Sequence, residues 1–516
     1  MTTGVDGVGS CDVVVVGSGF GGSVTALRLA QKGYRVTVLE AGRRWRPEDF
    51  ATSPWQAHRL LWAPWLGCRG IARLRVRRRL IALMGIGVGG GSLVYAGVHY
   101  RPGAPVFRAP CWDSALNWEA ELLPYYALAE RMLGTTTVPR PTAGDDVLRL
   151  AADALGVSGT VHATRVGIHF GPPGRTVPDP FFGDHGPARA GCTQCGRCTL
   201  GCRAGAKNSL DHNYLYLAER SGADIRPMVE ARRLVPQPDG TWQVHTLQSI
   251  GITRRRVVLT ARQVVLAGGA WGTMELLHRS RPHLPQMSQA LGTRTRTNRE
   301  VFAAASAPGF DVGPGVAISS ALQPHPDLLV QLCRLGQGSH PAALFARLTC
   351  RPWRDFGRRT AVFFAMEQGD SHLTSRYRHG RMTFRPGSPQ PELVRLAAAE
   401  AVAHHYARHI GGRAGLLWST ALGLPVTAHL MGGCPIGSDP ARSVADLYHR
   451  VHHYPSLHIA DACTVPTNLG VNPALTITAM AERACAAWPV NGQPDQRPPQ
   501  HLPYRPVAPP RTETGS

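Results

Sequence analysis

Two groups of residues have the types and spacing needed for chemistry. Gly17, Gly19 and Gly22 match the pattern G-x-G-x-x-G. Glycines so spaced allow a tight turn and let backbone amides approach a pyrophosphate. The second group is a run of cysteines with the spacing of bacterial ferredoxin ligands, namely Cys192, Cys195, Cys198 and Cys202. The first group predicts a dinucleotide cofactor, and the second an iron–sulfur cluster or another bound metal.

The cysteine run also fits a structural interpretation. Arg203 stands where ferredoxins carry proline, and the chain contains no second run of this kind. Two alternatives therefore stay open. The run is either a cluster that takes electrons from a reduced cofactor, or a tight structural or disulfide-linked turn.

The elements around the glycines are those of a βαβ unit. Residues 12–16 are an apolar run typical of a buried parallel strand, a helix is predicted over about 23–32, and a second strand over 35–39. Glu40 closes that second strand 23 residues after Gly17, where a carboxylate can accept hydrogen bonds from ribose hydroxyls. This context makes the glycine pattern a strong prediction of a dinucleotide site.

A second glycine-dense loop, from Gly87 to Val94, favours FAD over NAD. A backbone with so few side chains can lie flat against an isoalloxazine ring or a second stretch of phosphate. The cofactor predicted from the two loops together is FAD.

Further strand signals indicate that the cofactor domain is assembled from separated segments. Buried-strand runs recur at 263–266 and 457–460, and residues 361–384 alternate like strands of a sheet that faces the cofactor. We expect an α/β fold, in which a discontinuous Rossmann-type FAD-binding domain is joined to an α+β substrate-binding cap. The predicted FAD-binding segments are 11–104, 186–284 and 421–490, the cap segments are 105–185 and 285–420, and residues 491–516 form a disordered tail.

The strongly basic composition does not indicate a nucleic-acid partner. The formal net charge is +22, but lysine occurs only at Lys32 and Lys207, and the many arginines are spread along the chain. We attribute this bias to a GC-rich genome. No recognised nucleic-acid-binding module is present.

One dense arginine cluster lies near several tryptophans. Two interpretations are open: a solvated arm, or a basic surface that rests on an anionic membrane. No apolar run is long enough to span a bilayer, and no secretory signal precedes the first strand, so we expect a cytoplasmic protein with optional peripheral membrane contact. The cluster comprises Arg69, Arg73, Arg75, Arg77, Arg78 and Arg79, near Trp55, Trp62 and Trp65.

Several motifs follow one another in a set order, namely Val16–Ser23, Gly89–Leu93, Lys207–Asp211, Val264–Ala270 and His429–Cys434, then Asp461 and Gly470–Pro473. With these motifs the chain resembles the glucose–methanol–choline (GMC) oxidoreductases, and within them the cholesterol-oxidase-like branch of actinobacteria. The resemblance covers about residues 11–490. It implies an FAD-dependent enzyme that oxidises an alcohol.

The resemblance also implies which residues contact FAD. Tyr95 departs from the family pattern, because sterol oxidases usually carry asparagine there. In addition to the glycines of the first loop, the expected contacts are Phe20, Gly21, Glu40, Gly91, Tyr95, Ala96, Val98, Ala231, Asp461, Ala462 and Ala474.

By the same resemblance, His429 and Asn472 form the catalytic pair. Alcohol oxidation by FAD needs a base that removes the hydroxyl proton while hydride leaves the carbon. An imidazole can serve as that base near neutral pH. The amide of Asn472 cannot take a proton, but it can orient the substrate oxygen.

The expected substrate is a lipophilic secondary alcohol, sterol-like or otherwise. Sterol oxidases also use a pocket glutamate that shifts a double bond, and our alignment places His340 at that position. Glu367 is a candidate substitute, although we expect it to be a solvated surface residue. The histidine at this position and the shorter cap therefore argue against cholesterol as the substrate and against isomerase activity.

The expected electron acceptor is O₂ or an unknown redox partner. An alternative is a dehydrogenase or tailoring enzyme of secondary metabolism, or an enzyme of long-chain alcohols, that reduces an acceptor other than O₂. From other classes we consider a non-catalytic flavin-binding protein, which the intact His429 and Asn472 pair disfavours, and a basic nucleic-acid-binding protein.

Overall fold

The computed structural model describes residues 11–53, 55–250, 253–336, 355–388, 394–416 and 426–506. In this part of the chain no helix is both long enough and apolar enough to cross a membrane. The helices are α1 Phe20–Gln31, α2 Ala57–Leu60, α3 Ala104–Phe107, α4 Trp118–Met132, α5 Ala143–Ala154, α6 Tyr214–Arg220, α7 Gly269–Ser280, α8 Val394–His409 and α9 Ala474–Ala486. The strands are β1 Cys11–Val16, β2 Val36–Leu39, β3 Trp62–Ala63, β4 Cys68–Arg69, β5 Ala72–Arg77, β6 Leu80–Gly85, β7 Thr136–Thr137, β8 His162–Ala163, β9 Arg165–Val166, β10 Thr176–Val177, β11 Arg189–Ala190, β12 Asp224–Arg226, β13 Val229–Pro236, β14 Trp242–Ile250, β15 Thr253–Leu266, β16 Thr295–Arg296, β17 Val301–Ser306, β18 Ile318–His325, β19 Leu328–Arg334, β20 Thr360–Gly369, β21 Leu373–Arg378, β22 Arg381–Pro386, β23 Arg413–Leu416, β24 Val426–Thr427, β25 Met431–Gly432, β26 Arg450–Val451, β27 Tyr454–Ile459 and β28 Asn468–Leu469.

A mixed eight-stranded sheet carries the predicted cofactor unit. Its strands β12, β2, β1, β15 and β27 pair in that order and are parallel, whereas β14, β13 and β26 join the sheet antiparallel. Val13, Val14 and Val15 of β1 are fully buried, and Val13 pairs with Val36 on one side and Gln263 on the other. The Rossmann-type fold is confirmed, and strands distant in sequence meet in one sheet.

Helix α1 begins at Phe20, three residues before the predicted start. A Cβ atom on Gly21 would lie 1.5 Å from the carbonyl oxygen of Ala460, and one on Gly22 would lie 2.0 Å from that of Gly17. These glycines weaken the helical signal in the sequence. They are accommodated because only glycine lets the helix approach the backbone at the strand ends so closely.

A buried carboxylate joins the helices packed on this sheet. Glu482 of α9 accepts two hydrogen bonds of 2.8 Å from Arg28 of α1 and one of 2.6 Å from the hydroxyl of Tyr214 of α6. Helix α4 also packs on α9 and contributes Trp118 and Tyr125 to the same core. This part of the predicted cap segment 105–185 therefore lies with the FAD-binding unit.

A mainly antiparallel sheet forms the cap, in the order β23-β17-β20-β19-β18-β8. Phe363 on one face packs in a core with Tyr406 of α8, and Phe364 on the other face packs with Met366. The predicted strand region 361–384 is divided between two sheets, because β21 pairs with β16 and β22, and neither β21 nor β22 joins the cap sheet.

The arginine cluster forms a β-hairpin, β5–β6, with an inverted pattern. Leu74 and Val76 are 51% and 57% exposed, whereas the alternating arginines of β5 are only half-exposed. Arg73 lies over the ring of Trp62, and Arg77 over the ring of Trp271. Arginine stems cover aromatic rings while the apolar side chains face outward, so the arginines of β5 do not form a solvated arm, whereas Arg78 and Arg79 at the turn are exposed.

The prediction of a disordered tail is wrong for residues 491–506. The Tyr504 hydroxyl donates a 2.5 Å hydrogen bond to Glu121, and Arg497 stacks on Trp488. The Tyr448 hydroxyl donates to the carbonyl of Arg505. Proline and polar residues suggested disorder, but these specific side-chain contacts fix the segment. Residues 507–516 lie outside the described residues.

Candidate active site

His429 forms an ion-pair contact with a buried glutamate. Its Nδ1 lies 2.8 Å from Oε1 of Glu300, whose side chain is fully buried. A carboxylate can only accept a hydrogen bond, so this contact places the imidazole proton on Nδ1. The other ring nitrogen, Nε2, then carries the lone pair needed to take a proton from an alcohol.

The Glu300 carboxylate is itself held in place. Its Oε2 accepts a 2.7 Å hydrogen bond from the backbone amide of Ala428, and Thr427 donates to Oε1 at 3.2 Å. The Thr427 hydroxyl also accepts from the amide of His429. Strand β24, which carries Thr427, pairs with β6 of the exposed hairpin. His429 is thus positioned by Glu300 and by a network on the residues immediately before it.

Asn298 holds the loops of His429 and Asn472 side by side. Its Nδ2 donates to the carbonyl of Val471 at 2.9 Å and lies 3.4 Å from Nδ1 of His429, and its Oδ1 accepts from the amide of Gly470. Asn298 adopts a φ of 58°, a conformation that asparagine tolerates better than most residues. The predicted partners, His429 and the loop of Asn472, are therefore brought together.

The Asn472 side chain has a fixed orientation. Gln331 of β19, which is fully buried, donates a 2.6 Å hydrogen bond from Nε2 to Oδ1 of Asn472. With its oxygen engaged by Gln331, the Asn472 amide keeps both N–H donors for another partner.

The cap sheet presents apolar side chains to this pair. The ring of Phe364 lies 5.5 Å from that of His429, and Phe302 stacks on Phe364 with ring centroids 4.9 Å apart. The same apolar cluster includes Met366 and is contacted by Val471. The residue beside the base is therefore aromatic, and the surroundings are apolar.

The first glycine loop has the shape of a cofactor cradle. Gly17 has a φ of +102°, and a Cβ there would lie 2.3 Å from the carbonyl oxygen of Ala267. A Cβ on Gly19 would meet no atom within 4 Å, and no side chain caps helix α1 at this residue. Open space in front of uncapped helix amides suits a pyrophosphate, so the residues present fit FAD.

Glu40 connects the first and second loops. Its Oε1 accepts from the amides of Gly42 and Gly87, and its Oε2 accepts from the amide and hydroxyl of Ser18. Burial raises the pKa of the Glu40 carboxyl above its ordinary value. Contact between Glu40 and a ribose stays a prediction, and this structure adds that Glu40 orders both loops.

Asp461 follows β27 and approaches the same cradle. It accepts hydrogen bonds from the Thr273 hydroxyl at 2.5 Å and the Cys463 amide at 2.8 Å. A Cβ on Gly21 would lie 3.3 Å from the Asp461 amide nitrogen. Burial raises the pKa of the Asp461 carboxyl. The first and last predicted cofactor segments therefore meet.

The second glycine loop packs on Phe20. A Cβ on Gly91 would lie 3.5 Å from the Phe20 ring, and Phe20 packs edge-on against Tyr95 at 5.4 Å. The Tyr95 hydroxyl donates to the carbonyl of Asn208, so this oxygen already has a protein partner. Burial raises the pKa of Tyr95 above its ordinary value.

The other predicted FAD contacts lie behind these loops. Ala96 and Val98 are buried in an apolar cluster with Cys198, and Ala462 and Ala474 are also buried. Ala231 lies on β13, two residues after Val229, whose amide donates to the backbone carbonyl of Glu40. Direct contact of these five residues with FAD stays a prediction.

Of the two residues considered for double-bond isomerisation, the structure describes Glu367 but not His340. Glu367 is buried and forms a 2.9 Å ion pair with Arg299, so the expectation of a solvated glutamate is wrong. The glutamate lies on the cap sheet next to the turn that carries Asn298, and the ion pair there compensates its buried charge. His340 lies outside the described residues.

The cysteine run does not form a site for a single metal ion. Within the described residues, no group of three or more His, Cys, Asp or Glu side chains is placed to hold one. Cys192, Cys195, Cys198 and Cys202 are all free thiols.

The chain matches known proteins over most of its length. Family models for GMC oxidoreductases match residues 188–308 and 419–481, and one for FAD dependent oxidoreductases matches residues 12–130. Over 96% of its length the chain is 42% identical to a cholesterol oxidase of Mycobacterium tuberculosis, of which 94% is covered. The chain belongs to the GMC oxidoreductase family. It is an FAD-dependent enzyme that oxidises an alcohol, and the resemblance noted in its motifs is confirmed.

Further relatives of this GMC oxidoreductase are a cholesterol oxidase of Acinetobacter baumannii and two solved structures. The first is 36% identical, with 93% of this chain and 94% of that protein covered. Pyridoxine 4-oxidase from Mesorbium loti matches with a TM-score of 0.64 at 19% identity, covering 92% of this chain and 98% of that one. Formate oxidase matches with a TM-score of 0.62 at 15% identity, covering 92% and 97%. The two structures show a shared fold.

Sequence reasoning missed Asn298, Glu300 and Gln331. The first two belong to the polar stretch 297–300 that enters β17, and such a stretch before a cap strand was a usable signal. Nothing in the local pattern marks Gln331, which lies inside an apolar strand and acquires its role only from the distant Asn472.

Proposed function

We propose that this enzyme oxidises the hydroxyl group of a sterol or a similarly lipophilic secondary alcohol. The observation that carries the proposal is the position of His429, which is hydrogen-bonded to Glu300 on one side and packed against Phe364 on the other. A basic side chain next to apolar side chains can bind a hydroxyl group that is attached to a bulky hydrocarbon. The relatives at 42% and 36% identity described above are both named cholesterol oxidases.

His429 acts as the general base in this proposal. Glu300 keeps the proton on Nδ1, so Nε2 takes the proton of the substrate hydroxyl. The imidazolium that results carries positive charge directly against the Glu300 carboxylate, which stabilises it. FAD, when bound, supplies the hydride acceptor.

Asn472 orients the oxygen of the substrate. Because Gln331 occupies its carbonyl oxygen, the Asn472 amide offers N–H donors to the alcohol. The hydroxyl group then donates its proton to His429 and accepts a hydrogen bond from Asn472. These two contacts fix the orientation of the alcohol and align its carbon–hydrogen bond for hydride transfer.

FAD is assigned to the cradle between the two glycine loops. Gly17, Gly19 and the uncapped start of α1 hold the pyrophosphate, with Asp461 at the opposite edge. Glu40 holds the loops together, and its carboxylate is the proposed partner of the adenosine ribose. The support is the open space at Gly19 and the meeting of the three segments at one edge of the sheet.

A panel of alcohols tests the substrate class. Purified holoenzyme is mixed anaerobically with sterols, 3-hydroxysteroids and long-chain primary alcohols, and loss of flavin absorbance is followed. We expect the fastest bleaching with a sterol or steroid. Fast bleaching with linear alcohols alone would overturn the sterol proposal and favour long-chain alcohol oxidation.

Reoxidation of the reduced enzyme tests the acceptor, for which we propose O₂. The bleached enzyme is exposed to oxygen or to an artificial one-electron acceptor. Rapid return of flavin absorbance in oxygen, with formation of hydrogen peroxide, is the result expected of an oxidase. A slow return in oxygen and a fast one with the artificial acceptor contradicts it.

We also propose that the enzyme works while resting on a lipid surface. The hairpin β5–β6 exposes Leu74 and Val76 and carries Arg78 and Arg79 at its exposed turn. Outward apolar side chains beside cationic ones match an interface with anionic headgroups. The hairpin pairs through β6 with β24, two residues before His429, so the docked face adjoins the base.

Vesicle flotation tests this contact. The enzyme should float with vesicles of phosphatidylcholine and phosphatidylserine, and less with phosphatidylcholine alone or in high salt. The double variant Leu74→Asp/Val76→Asp should lose binding, whereas Leu150→Asp, at an exposed leucine of α5, should keep it. Equal flotation of both variants would contradict the assignment to this hairpin.

A further inference from the structure

The four cysteines of the run all line one cavity. Cys192, Cys195, Cys198 and Cys202 share its wall with Lys207. Cys198 is buried, Cys192 and Cys202 are half-buried, and Cys195 is exposed. All four side chains therefore surround a common volume that the alcohol-oxidising site does not use.

Backbone amides point at three of the four sulfur atoms. The amide of Gln194 donates to Sγ of Cys192 at 3.3 Å, and that of Ala317 donates to Sγ of Cys198 at 3.5 Å. The amide of Lys207 donates to Sγ of Cys202 at 3.4 Å. Sulfur in a neutral thiol is a weak acceptor. Backbone amides form stronger hydrogen bonds with thiolates than with neutral thiols. Hydrogen bonds to the cysteine sulfurs are one of the features that set the reduction potential of an iron–sulfur cluster.

Lys207 places a buried positive charge beside the cavity. It is 2% exposed, and its Nζ donates to the carbonyl oxygens of Leu93, Tyr95 and Cys198 at 2.9, 3.2 and 2.7 Å. These hydrogen-bond acceptors are uncharged carbonyls, and the carboxylate of Asp211 supplies one negative charge nearby. Four thiolates around an iron–sulfur core would add negative charge next to this ammonium, which reduces the cost of burying it.

The arrangement of the thiols around one cavity fits a cluster better than a single ion. A mononuclear zinc or iron site needs its sulfur ligands within about 2.3 Å of one point, and no such group is present in the described part of the chain. In a [4Fe–4S] cluster each cysteine binds a different iron, so the thiols surround a volume and do not converge on a point.

We propose that Cys192, Cys195, Cys198 and Cys202 bind one [4Fe–4S] cluster. Lys207 connects this site to the second glycine loop, because its ammonium bonds both Cys198 and the carbonyls of Leu93 and Tyr95. The cluster lies directly behind the loop proposed to contact FAD. The proposal concerns a second cofactor and does not depend on which alcohol is oxidised.

Metal analysis of the whole holoenzyme tests the proposal. The protein is purified anaerobically, reconstituted with ferrous iron and sulfide, desalted, and analysed for iron, acid-labile sulfide and FAD. We expect about four irons and four sulfides per FAD. Low-temperature electron paramagnetic resonance after dithionite reduction should show an iron signal distinct from the flavin radical.

Alanine variants assign the ligands. Cys195→Ala and Cys202→Ala remove one exposed and one half-buried thiol, and both should lose most of the iron while keeping FAD. Cys68→Ala, at a half-buried cysteine of β4 outside the run, is the matched control and should keep both its iron and its FAD.

Several outcomes would overturn the proposal. Reconstituted wild-type protein with less than about one iron per FAD has no cluster. Iron or zinc without labile sulfide identifies a different metal site, and a disulfide among the four cysteines in the purified protein identifies a structural turn. These measurements on the wild type stand even where a variant fails to fold, and none of them depends on turnover.

Discussion

Replacing Glu300 with glutamine isolates the role of the charge beside His429. The carboxylate lies 2.8 Å from Nδ1 and is fully buried, and its other oxygen is fixed by the amide of Ala428 at 2.7 Å. Glutamine has the same shape, so its single oxygen will keep the Ala428 hydrogen bond. The NH₂ group of the substituted side chain must then face Nδ1.

The magnitude follows from this geometry. Loss of a hydrogen bond to a charged group costs about 1.5–3 kcal/mol, which is about 10- to 150-fold in rate. Because the amide now donates to Nδ1, the imidazole proton moves to Nε2, and a base in the wrong tautomer loses up to about 10⁴-fold. We therefore expect the hydride-transfer step of Glu300→Gln to slow by about 10²–10⁴-fold.

Anaerobic stopped-flow bleaching of the flavin measures this step directly. FAD content and melting temperature report the fold, and Glu121→Gln is the matched control, since Glu121 is also an ion-paired glutamate but contacts Arg483 and Tyr504 away from the site. A limiting bleaching rate for Glu300→Gln within about twofold of wild type, with FAD retained, would refute the tautomer reasoning.

Three further predictions concern single side chains. His429→Ala should keep FAD and lose about 10²–10⁴-fold in kcat, and an unchanged kcat would remove the histidine from the mechanism. Gln331→Leu frees the Asn472 oxygen, so kcat/KM should fall about tenfold with a stable fold; normal kinetics would show that Gln331 does not orient the amide. Burial alone would raise the pKa of Asp145, but Arg334, 3.2 Å away, together with hydroxyl donors, holds that pKa below its ordinary value. This pair stabilises the fold above about pH 4, and the stabilisation is lost as pH falls through the lowered pKa. Asp145→Asn should therefore lower the free energy of unfolding by about 3–5 kcal/mol near neutral pH and by less in acid. Denaturant unfolding at neutral pH and in acid measures this difference, and an equal loss of stability under the two conditions would contradict the assignment.

The cofactor unit was predictable from the sequence because its signals are local. The valines of β1, the turn at Gly17 and the acidic end of β2 lie within 30 residues. Boundaries were less accurate, since β15 extends back to Thr253 through a charged run that hides its N-terminal half. A continuous apolar run identifies the segment of a strand that is buried on both faces, but it does not identify an exposed, charged segment of the same strand.

The network around the base could not be predicted in the same way. Glu300 and His429 are separated by more than a hundred residues, and no motif links them. The inverted hairpin shows a second limit. The sequence of β5 alternates between arginine and apolar residues, which lie on opposite faces of the strand. The face that points inward is the arginine face, because Trp62 and Trp271 lie against it, and the strand's own sequence does not show this.

The contact between Gly21 and the carbonyl of Ala460 has a consequence for how the enzyme is made. The two residues are separated by about 440 positions, and synthesis at about 5–20 residues per second delays the second by roughly 20–90 s. Until β27 leaves the ribosome, the first βαβ unit has no partner at the edge where Asp461 completes the cradle. Cofactor loading is then one of the last events of biogenesis. A nascent chain stalled before residue 454 should emerge without flavin, although its glycine-rich loop was among the first segments made.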